Sequence, residues 1–123
     1  MYLLETNEES IFFAGDTALT DTTHKLIADI LWSENRQLDM CLLPIGYAPA
    51  WKPGFRRGHL TGQDAMHLFE RLEAKAMIPY HWGTFRHVTA TAYDSINRLK
   101  SQLLQHPRAD GVHILEPGES LYM

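Results

Sequence analysis

Residues 77–85 read MIPYHWGTF, an apolar run of strand length that stops at His81 and turns at Gly83. Residues 11–20, IFFAGDTALT, behave alike earlier in the chain, passing from an apolar segment into Gly15-Asp16-Thr17. Short runs rich in branched and aromatic residues, bounded by glycine and polar residues, predict strands. Two strands are thus expected to end on side chains that can ligate a metal. What lies between and around them decides whether they share one sheet.

Working outward, residues 2–5 (YLLE) form another short strand, and the polar TNEES that follows suits a hairpin loop. From Thr22 a helical period begins, with Leu26, Ile27, Ile30 and Leu31 on one stripe, Asp21 or Thr22 placed to cap it, and an end near Asn35. MCLLPI (40–45) is a continuous apolar run, the pattern of a strand buried on both faces. Residues 46–60, GYAPAWKPGFRRGHL, hold three glycines and two prolines, so they form a long loop, and long ordered loops in small domains are usually functional. Thr61-Gly62-Gln63-Asp64 has the spacing of a capping box opening a helix, with Ala65, Leu68, Phe69 and Leu72 on one face and an end near Ala74. KAMIPY is the next buried strand. A last helix from about Thr91 turns Ala92, Ile96, Leu99 and Leu103 inward until His106-Pro107 stops it, and VHIL and SLYM close the chain as short strands. Alternating strands and helices predict an α/β fold with largely parallel central strands, whose carboxyl ends collect ligands.

Composition narrows the rest. A chain of 123 residues with 45% hydrophobic content builds one domain with its own core, not two. A net charge of -4 and a pI near 5.9 provide no basic field for nucleic acid, Phe55-Arg56-Arg57 being one small basic spot. Cys41 is the only cysteine, which rules out an intrachain disulfide and fits a reducing, cytoplasmic setting. No apolar run approaches the roughly 18–20 residues that span a bilayer, and MYLLETNEES lacks the basic-then-apolar order of a signal peptide.

Taken singly, the site residues have ordinary readings. Asp16 after a glycine suits a turn or a helix cap, and His81 between Tyr80 and Trp82 suits a half-buried, hydrogen-bonded imidazole. The pairing points to a metal site: a carboxylate and an imidazole, each delivered by the end of a buried strand. His59, just before the capping box, either contacts substrate or caps backbone groups. Tyr47 and Trp51 either line a pocket or pack the loop onto the body. His24, His67, His87, His106 and His113 show no ligand spacing and read as surface or turn residues, while Met66 and Met77 fill core gaps.

FFAGDT, LLPIGYAPAW, GHLTGQDAMHLFERLEAKAMIPYHWGTF and PGESLYM, in that order, resemble the C-terminal half of metallo-β-lactamase-fold hydrolases. The resemblance is nearest to the branch of N-acyl-phosphatidylethanolamine-hydrolysing phospholipase D and the L-ascorbate 6-phosphate lactonase-like proteins, and covers nearly the whole chain. It implies half of an αββα sandwich, a mixed sheet with flanking helices. It also implies that Asp16 bridges two metal ions, zinc or alternatively manganese, that His81 ligates one, and that His59 lies near the substrate. The implied reaction is hydrolysis of a phosphodiester, lactone or related ester, small-molecule or lipid, by a metal-bridging hydroxide, without a covalent enzyme intermediate.

The family also carries a His-x-His-x-Asp-His segment on an earlier loop, which this sequence does not contain. Two protein ligands fall short of the three of a usual catalytic zinc site. The expectation is therefore one unit, residues 1–123, representing the C-terminal portion of the domain. By itself it should bind metal weakly and be inactive, and it should need a complementary N-terminal half or self-association to cover its exposed sheet. The other reading is a non-catalytic α/β remnant that serves as an interaction or structural domain.

Overall fold

The computed structural model describes residues 1–18, 20–46, 59–84 and 91–122. Four strands, β1 (Tyr2–Glu5), β2 (Ser10–Phe13), β3 (Met40–Pro44) and β4 (Ala76–Tyr80), form one sheet in the order β1-β2-β3-β4. The β1–β2 hairpin is antiparallel, whereas β2, β3 and β4 run parallel. Helix α1 (Asp21–Ser33) connects β2 to β3, α2 (Gly62–Arg71) precedes β4, and α3 (Asp94–Leu103) follows it. This is the mixed-sheet α/β arrangement that the alternating pattern predicts.

The capping box opens α2 as expected. Thr61 Oγ1 accepts from the Asp64 backbone N–H at 3.1 Å, and Asp64 Oδ2 accepts from the Thr61 N–H at 3.1 Å. Such a cap is worth about 1 kcal/mol. Ala65, Leu68, Phe69 and Leu72 are all buried, and so are Met66 and Met77.

Strand register sorts the sheet residues into two faces. Leu3, Phe12, Cys41 and Met77 are aligned across the sheet. With Ala14, Leu43 and Ile45 they join Ile27 and Leu31 of α1, the α2 stripe, and Ile96 and Leu99 of α3 in one core cluster, so the helices all pack on this face. The alternate residues, Tyr2, Phe13, Leu42 and Ile78 in one row and Leu4, Ile11, Met40 and Ala76 in the next, lie on the other face. None of these eight belongs to that cluster. Tyr2 is 67% and Leu4 58% exposed, and Ile11, Phe13, Leu42 and Ile78 are half-buried. Met40 and Pro44 on the same face are buried, so this face is most open at β1 and largely covered at β3.

Several local expectations change. Ile30 fits the inner stripe of α1 by period, but it is 37% exposed, and Ala28 is buried instead. The side chain of Leu26 lies outside the described set. Strand β3 is buried on both faces as expected, Met40 and Pro44 on one and Cys41 and Leu43 on the other, with Leu42 alone half-buried. Helix α3 begins at Asp94, later than Thr91, because residues 91–94 first close a turn through the Asp94 N–H and the Thr91 carbonyl. Neither VHIL nor SLYM forms a strand among the described residues. Val112 makes one parallel bridge to Met77, through the His113 N–H and the Met77 carbonyl at 2.8 Å, and Tyr122 is 91% exposed. Side chains hold this segment instead. Arg108 lies 4.1 Å over the Phe69 ring and donates to the Ala74 carbonyl, and His106 pairs with Glu70 at 3.1 Å. His106 is thus engaged more closely than a plain surface histidine.

A candidate metal centre at the carboxyl rim

Because β2, β3 and β4 are parallel, their carboxyl ends emerge along one rim. At the first, the Ala14 N–H still bonds the Leu42 carbonyl at 3.1 Å. Gly15 then takes φ +62°, a conformation that glycine enters without a Cβ penalty, and the chain turns off with Asp16 exposed. At the last, the Ile45 N–H bonds the Tyr80 carbonyl at 2.9 Å, and His81 follows with φ 64° and an exposed side chain. A left-handed backbone on a residue other than glycine costs of order 1 kcal/mol and persists where its surroundings enforce it.

Three neighbours enforce it here. Gly46 lies so close that an added Cβ would overlap the His81 carbonyl oxygen. The Trp82 indole donates to the Pro79 carbonyl at 3.1 Å, and the Gly83 N–H bonds the Ala92 carbonyl at 2.9 Å. His59, half-buried just before the α2 cap, stacks near His81 with ring centroids 6.4 Å apart and planes 24° from parallel.

The two ends are tied together by Tyr80. Its hydroxyl donates to the Gly15 carbonyl at 2.6 Å, and its ring stacks on Phe13 at 5.2 Å. Burial pushes the Tyr80 hydroxyl up to about 12, and the nearby Asp16 carboxylate adds to the rise, while the bond to Gly15 opposes it. Asp16 and His81, 65 positions apart in sequence, therefore follow turns that one side chain joins. Cys41, the remaining soft ligand type, is fully buried with its thiol pushed well up, so it stays protonated within the core.

Carboxylate and imidazole are donors that zinc and manganese both accept. Both side chains are exposed, and among the described residues neither makes a side-chain hydrogen bond or ion pair, so both are available as part of a ligand set. Among the described residues, no three His, Cys, Asp or Glu side chains form a group that could hold a metal ion. Tyr47 and Trp51, expected at the same rim, lie outside the described residues, as do Arg56, Arg57 and His87. Reading the sequence missed Tyr80 and Gly46. A tyrosine closing an apolar strand directly before His81, and a glycine directly after LLPI, were the available signals.

Comparison with known proteins gives a consistent result. Over residues 1–82 the chain matches the family model described as a beta-lactamase superfamily domain. It is 29% identical over 112 residues to a UPF0173 metal-dependent hydrolase of Nitratidesulfovibrio vulgaris, covering 91% of this chain and 39% of that protein. It is 31% identical over 123 residues to one from Thermus thermophilus, covering 97% and 43%. The chain thus spans about two fifths of the length of these curated relatives. Among solved structures, the metallo-beta-lactamase fold protein YhfI from Bacillus subtilis superposes with a TM-score of 0.62 at 14% identity, covering 95% of this chain and 41% of its own, a likeness of fold alone. No helix among the described residues is long and apolar enough to cross a membrane. With the family model matched through both β2 and β4 and the sheet arranged as above, the chain belongs to the beta-lactamase superfamily, in its metallo-β-lactamase fold.

Proposed function

We propose that this chain is the rim-bearing C-terminal portion of a metal-dependent hydrolase. In this reading Asp16 balances the charge of two divalent ions, zinc with manganese as the alternative, and His81 ligates one of them. His59 contacts the substrate or its leaving group, with Tyr47 and Trp51 lining the approach. Bound metal would supply Lewis acidity and a water acidified to near neutral pH. The chain's own contribution is to hold a carboxylate and a neutral imidazole at a common rim, open to substrate on the outside. The substrate is a phosphodiester, a phosphorylated lactone or a related ester, as in the phospholipase D-like and lactonase-like branches, in a cytoplasmic setting. The relatives named as metal-dependent hydrolases support the reaction class.

The observation that carries this reading is the Tyr80–Gly15 hydrogen bond, which joins the turns bearing Asp16 and His81. Residues 1–123 act as one unit that is inactive alone and is completed by an N-terminal half, or by a second copy, that supplies further ligands and covers the apolar sheet face. Metal analysis of the chain co-expressed with the N-terminal half of a full-length relative tests the proposal. Stoichiometric zinc or manganese is expected, lost on Asp16→Ala or His81→Ala.

One observation favours a second reading. The apolar patch of the β1–β2 hairpin, with Tyr2 and Leu4 exposed and Ile11 and Phe13 half-buried, would equally serve a non-catalytic interaction domain. Formation of a stable assembly that holds no metal would select that alternative.

A further inference from the structure

Strand β3 lies between β2 and β4. Neighbouring strands are about 4.8 Å apart, so the ends bearing Asp16 and His81 are separated by roughly 10 Å of sheet. Backbone pairing does not join them directly, and each turn could rotate about its own strand end. Tyr80 spans this gap. It is the residue before His81, and its hydroxyl bonds the carbonyl of the residue before Asp16, at 2.6 Å. Its ring is held against Phe13, the last residue of β2, at 5.2 Å and 23°, so the aromatic stem is itself fixed at both ends.

We infer that Tyr80 is a positioning residue, a brace that sets the spacing between the Asp16 and His81 side chains and thereby the metal affinity of the rim. The inference rests on the metal-site reading above. The left-handed turns at Gly15 and His81 give the brace its importance, since each is a point where the chain leaves the regular ladder. Removing the hydroxyl leaves the Gly15 carbonyl to water and frees the Asp16 turn, while the ring keeps its stack. A supporting partner of this kind commonly changes metal affinity 10–100-fold or so while leaving the fold intact.

The test compares Tyr80→Phe with Phe13→Leu, which weakens the stack but keeps the hydroxyl. In the metal-free chain, exchange of the Ala14 amide, which bonds the Leu42 carbonyl directly before the Gly15 turn, is expected to quicken about tenfold in Tyr80→Phe, with the amides of α2 unchanged. In the chain co-expressed with the N-terminal half of a full-length relative, zinc affinity from chelator competition is expected to fall about tenfold in Tyr80→Phe, with a thermal midpoint within a few degrees of wild type. Phe13→Leu should lower the midpoint more and the affinity less. Unchanged exchange at Ala14, or unchanged zinc affinity in Tyr80→Phe, would overturn the inference. A wild-type assembly that holds no zinc, together with a loosened turn in Tyr80→Phe, would instead sink the hydrolase reading and leave the brace standing.

Discussion

The two ends of the parallel strands use the same kinds of side chain to opposite effect. At the amino end, Asp39 accepts from the Ser10 N–H at 2.8 Å and the Ser10 hydroxyl at 3.2 Å, and from the Lys75 ammonium at 2.7 Å. Gln37 donates to the Glu73 carbonyl at 2.7 Å, and Arg36 reaches Glu5 at 3.0 Å. These groups are used up in joining the starts of β2, β3 and β4 to one another and to the end of β1. At the carboxyl end, Asp16 and His81 point outward, and the turns beneath them are held by neutral contacts from Tyr80, Gly46 and Trp82. A carboxylate that already accepts several hydrogen bonds has little capacity left for a cation, whereas one held only through its backbone remains free to ligate. The comparison separates structural from functional polar residues by what occupies their lone pairs.

That contrast can be broken at four places. The largest expected effect is Gly46→Ala. The new methyl group meets the His81 backbone, which cannot swing aside like a flexible side chain, so denaturant unfolding should show a loss of about 3 kcal/mol, near the top of the range for overpacking. Next is Asp39→Ala, which leaves the buried Ser10 without its acceptor and should cost about 2 kcal/mol. Burial alone would raise the Asp39 carboxyl, but the hydrogen bonds from Lys75 and Ser10 outweigh it and hold the group below its ordinary value of 3.8. Its contribution is therefore fully present above that value and is lost as pH falls through the lower folded one. Acid titration of unfolding stability should show this loss in wild type and not in Asp39→Ala.

Removing the two proposed ligands themselves should have smaller effects than either of these. His81→Gly relieves the left-handed backbone and should leave stability equal or higher by up to about 1 kcal/mol, while removing the proposed ligand. A clear loss of stability there would mean that the His59 stack, rather than an enforced turn, holds the segment. Asp16→Ala, at an exposed site with no hydrogen-bonded partner among the described residues, should change stability by less than about 0.5 kcal/mol. If instead it costs as much as Asp39→Ala, the two rims are not distinct in the way described.

Local patterns were legible wherever a short-range rule governs them. The capping box at Thr61 and Asp64, the α2 stripe and the four strands all follow from spacing, because hydrogen bonds and side-chain direction repeat every few residues. Asp16 and His81 were identified as candidates from their strand-end positions and from the family resemblance. The misreadings fall where long-range contacts compete with local preference. VHIL has the composition of a strand, but anchoring by Arg108 and His106 leaves Val112 with a single bridge. Ile30 fits the helical period, yet the core accepts Ala28 instead.

By itself the sequence determined the α/β alternation, the capped start of α2, and the pair of strand ends where a carboxylate and an imidazole stand, since periodicity and turn chemistry are properties of neighbouring residues. Only the tertiary structure decided that Tyr80 joins those two ends, that Gly46 admits the His81 backbone, and that one face of the sheet carries the core while the other exposes Tyr2 and Leu4. These depend on strand order and register, which bring together residues dozens of positions apart, and no local pattern encodes which distant atoms will meet.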